Sequence, residues 1–155
     1  MKTALFPGSF DPFTIGHWDI AHRALTMFDK IYIAIGYNVN KQGLIAPEAR
    51  VELVRDSFSD NSAIEVVTYN GLTVNLCKEL DVKILLHGVR TFSDFEYERQ
   101  IAEVNAQING ELENVFLLAA PGFASVSSSA VRELIFHGAD VSAFLPPGIN
   151  IKSYL

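Results

Sequence analysis

The sequence predicts an α/β fold built on a doubly wound parallel sheet of five strands. Five short apolar runs, rich in branched and aromatic side chains, are typical of buried strands. Each run precedes a segment with helical periodicity, and this alternation specifies right-handed crossovers with helices on both faces of a parallel sheet. The five runs occupy residues 3–6, 31–35, 64–67, 84–86 and 115–118.

The helical segments are recognised by apolar side chains at i, i+3, i+4 and i+7. Pro47 suits a first helical turn, and Gly138 is placed to end the last long helix. Ser93 with Glu96 forms an S-x-x-E capping box. The apolar positions are Ala21, Ala24, Leu25 and Phe28 in the first segment, Val51, Val54 and Phe58 in the second, Thr73, Leu76, Cys77 and Leu80 in the third, and Tyr97, Ile101, Val104 and Ile108 in the fourth.

The composition fits one domain over residues 1–155, because 49% hydrophobic and 19% charged residues supply a core and exclude a disordered chain. A net charge of −6 disfavours a nucleic-acid binder with a broad basic surface. No apolar run approaches the roughly 20 residues that a membrane helix needs. No segment resembles a signal peptide, and the lone Cys77 forms no intramolecular disulfide. We therefore expect a cytoplasmic protein without nucleic-acid or membrane partners.

Two loops are expected to face each other at the ligand-binding edge of the sheet. In doubly wound sheets, ligands bind beyond the carboxyl ends of the strands, where strand order reverses. In the expected order 3-2-1-4-5, the first and fourth strands are neighbours, so the loops at 7–17 and 87–90 meet there. Gly8 and Gly16 allow close backbone approach, and His17 stands where a helix begins with free amides for an anion. This is phosphate-binding chemistry, although the chain contains neither G-x-G-x-x-G nor G-x-x-x-x-G-K-[ST].

Two motifs resemble the signatures of the nucleotidyltransferase superfamily, whose fold is Rossmann-like. Residues 8–12 (GSFDP) and 14–17 (TIGH) resemble GTFDP...(H/T)xGH, and residues 126–129 (VSSS) resemble ISSS/T. Within the superfamily, the chain resembles the phosphopantetheine adenylyltransferases over nearly its whole length. The supporting features are Lys41, the run GVR at 88–90, the run DFEYE at 94–98 and the run FLP at 144–146.

The resemblance implies transfer of an adenylyl group from ATP to 4'-phosphopantetheine, which gives dephospho-CoA and pyrophosphate in coenzyme A biosynthesis. The second pKa of a phosphomonoester is about 6, so the acceptor is already an anion at neutral pH and attacks the α-phosphate directly, in line. Mg2+ is expected to bind mainly through ATP, and the sequence indicates no protein metal site. A homo-oligomer, specifically a hexamer, and feedback by coenzyme A are further implications of the resemblance.

The resemblance assigns catalytic roles to three residues. His17 donates to the α-phosphate, Lys41 contacts the reacting phosphate, and Arg90 reaches the β- and γ-phosphates. Thr73 would contact the pantetheine arm, although it also fits the apolar stripe of its own helix. His87 departs from the family, which usually has Arg there to bind the incoming phosphate. The implied ATP-binding residues are Ser9, Phe10, His17, Gly88, Val89, Arg90, Glu98, Phe123, Ala124, Ser125, Val126, Ser127, Ser128 and Ser129, and the implied substrate-binding residues are Ser9, Lys41, Thr73 and His87.

The residues alone also allow purely structural interpretations. Lys41 taken by itself is a solvated loop charge, as most surface lysines are. Arg90 has Asp94 and Glu98 within helical reach as ion-pair partners. His17 and the serine triplet, each at the start of a helix, are also candidate helix caps.

Two alternative functions remain open from the sequence. One is adenylyl or cytidylyl transfer to another small phosphate, such as nicotinamide mononucleotide or glycerol phosphate. The run at 94–98 argues against it. Thr14 also argues against it, because the superfamily members that use those acceptors usually carry His at this position. The other is a noncatalytic flavodoxin-like or receiver-like module, which suits an acidic chain of this length. The two superfamily motifs, placed at the expected strand ends, argue against this second alternative.

Overall fold

The computed structural model describes residues 1–59 and 61–155 and contains a parallel sheet of five strands. The strands lie in the order β3-β2-β1-β4-β5, which confirms the predicted order. The apolar runs predicted as strands all form strands. Their bounds are β1 Thr3–Gly8, β2 Lys30–Gly36, β3 Ile64–Tyr69, β4 Ile84–Val89 and β5 Glu113–Leu118.

Helices cover both faces of the sheet. Their bounds are α1 Ile15–Ala24, α2 Pro47–Ser57, α3 Thr73–Glu79, α4 Phe92–Ile108 and α5 Ser128–Phe136, followed by two 3₁₀ turns at Ser142–Phe144 and Ile151–Ser153. Ala4 and Phe6 of β1 pack in one apolar cluster with residues of α1, α2 and α5, whereas Leu5 packs in a second cluster with residues of α3. Because side chains alternate along a strand, these clusters lie on opposite faces, which confirms the doubly wound architecture.

The two outer strands are less buried than the sequence predicts. Glu65 and Thr68 of β3 are exposed, and Leu118 at the end of β5 is 72% exposed. Edge strands have a hydrogen-bonded neighbour on one side only, which leaves more of their surface open to solvent. The prediction that all five runs are buried was therefore wrong for β3 and β5.

Helix boundaries agree with the prediction at two positions and differ at a third. Pro47 begins α2, and Gly138 follows α5 with a φ of +72° that a glycine adopts without strain. The predicted capping box at Ser93 was wrong, because α4 begins earlier, at Phe92. Its N-cap is Thr91, whose side chain accepts from the Asp94 amide.

The fourth strand is also longer than predicted. Residues 87–89 were expected in a loop, but His87 pairs with Phe116 and Val89 pairs with Leu118 in the ladder between β4 and β5. The apolar run stops at Leu86, whereas the strand continues because β5 supplies hydrogen-bonding partners. Of the predicted loop, Arg90 alone lies beyond the strand.

Helix α4 presents an apolar face to solvent. Its predicted stripe is exposed, with Tyr97 at 65%, Val104 at 55% and Ile108 at 50%, and Ala102 is the buried residue of this helix. Within residues 1–59 and 61–155, no helix combines the length and apolar character required to cross a bilayer.

Candidate active site

A cleft of about 700 Å³ opens at the carboxyl ends of β1, β2, β3 and β4. This position is the predicted one, and the volume suits a small-molecule ligand. Residues from β1, β2, α3 and α4 converge on the cleft from different parts of the chain. The predicted site residues that line it are Ser9, Lys41, Thr73, His87 and Glu98, which include all four predicted substrate-binding residues.

The loop after β1 is shaped by a close contact between Gly8 and Phe10. Phe10 has a φ of +47°, and its buried ring packs edge-on against Phe6 and Phe13. A Cβ at Gly8 would lie 2.7 Å from Phe10 Cζ, which is closer than atoms of this kind approach. Because the Phe10 ring belongs to the core, only the main chain of this residue is placed to make the predicted ATP contact.

The His17 side chain caps α1 with one ring nitrogen. Its Nδ1 accepts from the Thr14 amide at 3.0 Å, while its own amide donates to Thr14 Oγ1 at 3.4 Å. Burial, and then the positive charge of Arg90, lower the pKa of His17 to about 4. A neutral imidazole whose Nδ1 accepts must carry its proton on Nε2. The ring is therefore a neutral donor at physiological pH.

Arg90 lies at the carboxyl end of β4, close enough for its charge to act on His17. Its Nε is 3.1 Å from Asp94 Oδ2, and its amide donates to the same oxygen at 3.2 Å. The alternative interpretation of Arg90 as an ion-pair partner of Asp94 thus describes its geometry. Arg90 is exposed, so its guanidinium also keeps donors that face solvent.

Asp11 and Arg50 form a buried pair that the sequence did not indicate. Asp11 accepts from the Leu44 amide at 2.9 Å and from the Ile45 amide at 2.8 Å. Arg50 donates from Nε to the Ile45 carbonyl at 2.7 Å and from Nη1 to the Ser9 carbonyl at 3.2 Å. These bonds join the loop after β1 to the loop that carries Lys41.

Ser9 and Lys41 lie on opposite sides of this junction, and both side chains are exposed at the cleft. The Lys41 amide donates to the Asn38 carbonyl at 3.1 Å, within a turn that follows β2. Lys41 therefore lines the cleft from a short loop that begins with a turn.

The serine triplet connects the start of α5 to the first loop. Ser127 Oγ accepts from the Ala130 amide at 3.1 Å, and Ser129 Oγ accepts from Arg132 Nη2 at 3.1 Å. Ser128 Oγ instead donates to the Pro12 carbonyl at 2.8 Å. A hydroxyl has one proton to donate. Ser127 and Ser129 therefore retain a donor for a ligand, whereas the Ser128 proton is used inside the protein.

His87 is buried in the wall of the cleft, and both its ring nitrogens have partners. Nδ1 lies 3.1 Å from Glu98 Oε2, and Nε2 lies 2.8 Å from Asn114 Oδ1. The ring also stacks on Phe116 with centroids 4.8 Å apart. Direct contact with a phosphate would require one of these hydrogen bonds to break, which weighs against the predicted role of His87 as a ligand.

The remaining predicted residues lie at the same edge of the sheet but outside the lining of the cleft. Gly88 packs where a Cβ would lie 3.1 Å from Ile20 Cγ1, and Val89 is buried in the core. Phe123, Ala124, Ser125 and Val126 follow β5, and the Val126 side chain is buried. Thr73 does line the cleft, and its Oγ1 is 3.1 Å from the Tyr69 hydroxyl.

Sequence reasoning assigned no role to several residues that line the cleft. Arg132 lines the cleft and donates to the Asp11 carbonyl at 2.8 Å. Tyr69 and Asn105 also line the cleft. No periodic or motif signal distinguishes these polar side chains from surface residues.

The residues of the site do not form a metal cage. Within residues 1–59 and 61–155, no three His, Cys, Asp or Glu side chains are grouped so that they would hold a metal ion. Lys41, Ser9 and Thr73 line the same cleft, and their ammonium and hydroxyl groups are donors suited to phosphate oxygens.

Comparison with known proteins identifies the family. A family model described as cytidylyltransferase-like matches residues 5–134. A phosphopantetheine adenylyltransferase from Porphyromonas gingivalis is 48% identical over 145 residues, which are 94% of this chain and 94% of the relative. Enzymes of the same name from Bacteroides thetaiotaomicron and Flavobacterium psychrophilum are 42% and 41% identical over 152 residues, which are 98% of this chain and all of each relative. The chain therefore belongs to the phosphopantetheine adenylyltransferase family.

Proposed function

We propose that the protein catalyses reversible adenylyl transfer from ATP to 4'-phosphopantetheine, with dephospho-CoA and pyrophosphate as products. The observation that carries the proposal is the nearly full-length match to relatives of that name. The cleft supports it, because Ser9, Lys41 and Thr73 line it just beyond the carboxyl ends of β1, β2 and β3, where sheets of this kind bind their ligands.

The reaction needs positioned donors and no protein nucleophile. A phosphate oxygen of the acceptor forms a bond to the α-phosphorus of ATP, and the bond from that phosphorus to the bridging oxygen breaks as pyrophosphate leaves. His17 donates from Nε2 to the α-phosphate, where negative charge grows in the transition state. Lys41 neutralises the approaching phosphate, and Arg90 receives the β- and γ-phosphates.

The two substrates occupy different sides of the site. Ser9, Lys41 and Thr73 line the cleft and serve the acceptor. Ser127 and Ser129, whose hydroxyl protons remain available, bind the triphosphate together with the first-turn amides of α5. The short segment from Phe123 to Val126 borders the nucleotide.

Magnesium, when bound, supplies charge neutralisation on the triphosphate. The donor set fits an ion that arrives with ATP, because Mg2+ retains several waters and binds largely through phosphates. In this arrangement the residues of the chain bind the phosphate oxygens that the ion leaves free. Glu98 lies in the cleft and is already an acceptor for His87.

The decisive experiment measures pyrophosphate release with ATP and Mg2+ and three acceptors in parallel. We expect turnover with 4'-phosphopantetheine and at least a hundredfold lower rates with nicotinamide mononucleotide and glycerol 3-phosphate. Preference for either alternative acceptor would replace the substrate proposal. No turnover with any acceptor would overturn the assignment as a nucleotidyltransferase. ATP bearing one α-thiophosphate configuration tests the direct route, since a single displacement inverts phosphorus and a covalent intermediate gives retention.

We also propose that the protein acts as a homo-oligomer, a hexamer, in the cytoplasm where ATP is available. The exposed apolar face of α4 supports association, because a face with Tyr97, Val104 and Ile108 is stabilised when another surface covers it. Sedimentation equilibrium of the full chain measures the assembly. Feedback by coenzyme A is tested by adding it to the pyrophosphate assay.

A further inference from the structure

We propose that Arg50, paired with Asp11, is a positioning residue that fixes the Lys41 loop relative to Ser9. This inference rests on the proposed function, in which Lys41 and Ser9 contact the reacting phosphates. Arg50 does not act on the substrate in this proposal. It acts by holding two cleft segments in one relative position.

The junction holds the chain just beyond Lys41 through several atoms at once. Both oxygens of Asp11 are used, at 2.9 Å by the Leu44 amide and at 2.8 Å by the Ile45 amide. Arg50 Nε binds the Ile45 carbonyl at 2.7 Å, so that Ile45 is held through both its amide and its carbonyl. Arg50 Nη1 reaches the Ser9 carbonyl at 3.2 Å.

Because the two side chains of the pair carry opposite charges, we assign the pair a role in positioning the loops and not in attracting phosphate. Arg50 is 5% exposed and Asp11 is 7% exposed, and their closest recorded ionic atoms, Nε and Oδ1, are 3.6 Å apart. The opposite charges largely cancel at the distance of the substrate, so Arg50 adds little net attraction for phosphate. Buried pairs are poor sources of stability but specify geometry when all their hydrogen bonds are made.

The position of Lys41 depends on this anchor because its loop is short. The segment 37–43 runs from the end of β2 at Gly36 to the anchored amide of Leu44. Gly43 passes so close to the pair that a Cβ there would lie 2.7 Å from Asp11 Oδ2 and would also collide with Arg50. A shift of the anchor is therefore transmitted to Lys41 within a few residues.

The same junction extends to the start of α5. The Asp11 carbonyl accepts from Arg132 Nη1 at 2.8 Å, and Arg132 Nη2 donates to Ser129 Oγ at 3.1 Å. Asp11 thus joins three segments that carry proposed phosphate ligands. Its side chain aligns the Lys41 loop, and its main chain aligns the serine triplet.

A double-mutant cycle between Arg50 and Lys41 tests the proposal. Arg50→Lys keeps the charge but lacks the planar fork, so it cannot make both carbonyl bonds in the same geometry. We expect it to lower kcat/KM for phosphopantetheine by about 10- to 100-fold. In a Lys41→Ala background, the same change should cost less than threefold, because the group it positions is gone. Equal losses in both backgrounds would overturn the proposal.

Two further variants complete the kinetic test. Arg23→Lys is the matched control, because Arg23 also bonds a carboxylate and a carbonyl, those of Asp19 and Leu118, and it lies outside the cleft. We expect it to retain wild-type kinetics, and a loss equal to that of Arg50→Lys would contradict a specific role. Gly43→Ala disturbs the junction from the loop side and replaces Arg50→Lys in the cycle if that variant does not fold.

An activity-independent measurement separates this proposal from the proposed function. In Arg50→Lys, hydrogen exchange at the Leu44 and Ile45 amides should accelerate at least tenfold, while exchange in β1 and β2 stays at wild-type rates. Unchanged exchange at these two amides would refute the junction even in an active enzyme. Faster exchange together with no adenylyl transfer by the wild type would uphold the junction and reject the proposed function.

Discussion

His17 caps a helix through Nδ1, which leaves Nε2 as the ring nitrogen that can donate to substrate in the proposed reaction. The helix cap and the phosphate ligand are alternatives at the level of sequence. In the structure they are compatible, since Nδ1 accepts from the Thr14 amide and Nε2 carries the proton. The pKa of about 4 keeps this tautomer neutral across the range in which adenylyl transfer is proposed to operate.

We expect His17→Ala to lower kcat by two or more orders of magnitude and to leave ATP affinity within about tenfold. The donor acts mainly on charge that develops in the transition state, so its loss affects turnover more than binding. Steady-state kinetics with varied ATP measures both quantities. His22→Ala is the matched control, because His22 lies on the same helix and stacks on Trp18. A His17 variant that retains half of wild-type kcat would remove this residue from the mechanism.

His87 connects three elements from a buried position, and its replacement should reduce stability. His87→Phe preserves the stack on Phe116 but leaves Glu98 and Asn114 without their partner. Unpaired polar groups cost about 1–3 kcal/mol each when buried, and partial exposure of Glu98 places our expectation near 2 kcal/mol. Urea unfolding at pH 7.5 measures the change.

The control for this variant is a histidine bonded to glutamate at an exposed site. His137 Nε2 lies 2.9 Å from Glu133 Oε1, and both side chains are mostly exposed. His137→Phe should change the unfolding free energy by less than about 0.5 kcal/mol. Equal losses in the two variants would show that the His87 contacts contribute no more than a surface pair.

At the level of elements, the loop after β1 depends on the missing side chain of Gly8. The Phe10 ring fills the space where a Cβ would stand, and its φ of +47° directs the ring into the core. A backbone in this region is unfavourable for a residue with a side chain and persists where packing enforces it. Packing of Phe6, Phe10 and Phe13 therefore shapes the phosphate-binding loop.

Gly8→Ala should lower the unfolding free energy by about 1–3 kcal/mol and reduce kcat/KM at least tenfold. The added methyl group overpacks the contact with Phe10 and displaces the loop that carries Ser9. Gly110→Ala is the matched control, since the nearest atom to its Cβ is the Ala106 carbonyl oxygen at 3.8 Å. Denaturant unfolding and kinetics of both variants test this, and equal behaviour of the two would contradict the packing argument.

The strands and helices themselves were predictable from the sequence, whereas their ends depend on pairing and capping contacts with other residues. Apolar runs and helical stripes located all five strands and the helices that follow them. The end of β4 was missed because His87 and Gly88 interrupt the apolar run, whereas pairing with β5 continues the strand to Val89. The cap of α4 was assigned to Ser93, because both Thr91 and Ser93 have a suitable hydroxyl and only the backbone distinguishes them.

At the scale of the whole molecule, the chain is acidic, and cationic side chains gathered at the cleft offset that charge where anionic substrates would bind. The net charge is −6, yet Lys41 and Arg132 line the cleft. The motifs predicted the first loop and the serine triplet because their residues are contiguous. The pairing of Asp11 with Arg50 was not predictable, because the two positions are far apart in the sequence and the motif around Asp11 does not name a partner for its carboxylate.

We predict that residues 1–155 unfold as one domain. Both apolar clusters include residues of the central strands, so loss of the sheet disrupts them together. Circular dichroism and Trp18 fluorescence should give coincident urea transitions at constant protein concentration. Two separated transitions would indicate independent units.

The pH dependence of stability provides a further prediction, because the pKa of His17 is lower in the folded protein than in the unfolded chain. Burial and the charge of Arg90 lower the pKa of His17 to about 4, whereas an unfolded histidine titrates near ~6.5. As the pH falls between these values, the unfolded chain binds a proton that the folded chain does not. The stabilisation is therefore fully present above about pH 6.5 and is lost as the pH falls through about 4.

His17→Gln isolates this contribution, because glutamine binds no proton in either state. Acidic groups elsewhere in the chain titrate in both proteins, so their effects cancel in the difference between the two unfolding free energies. We expect that difference to shift by about 1–2 kcal/mol in favour of the variant between pH 7.5 and 4.5, an amount reduced from the full linkage by the partial exposure of the ring. Urea unfolding of both proteins at four pH values in this range measures it. A difference that stays constant with pH would mean that the folded ring accepts a proton as readily as the unfolded one, so that neither burial nor Arg90 lowers its pKa.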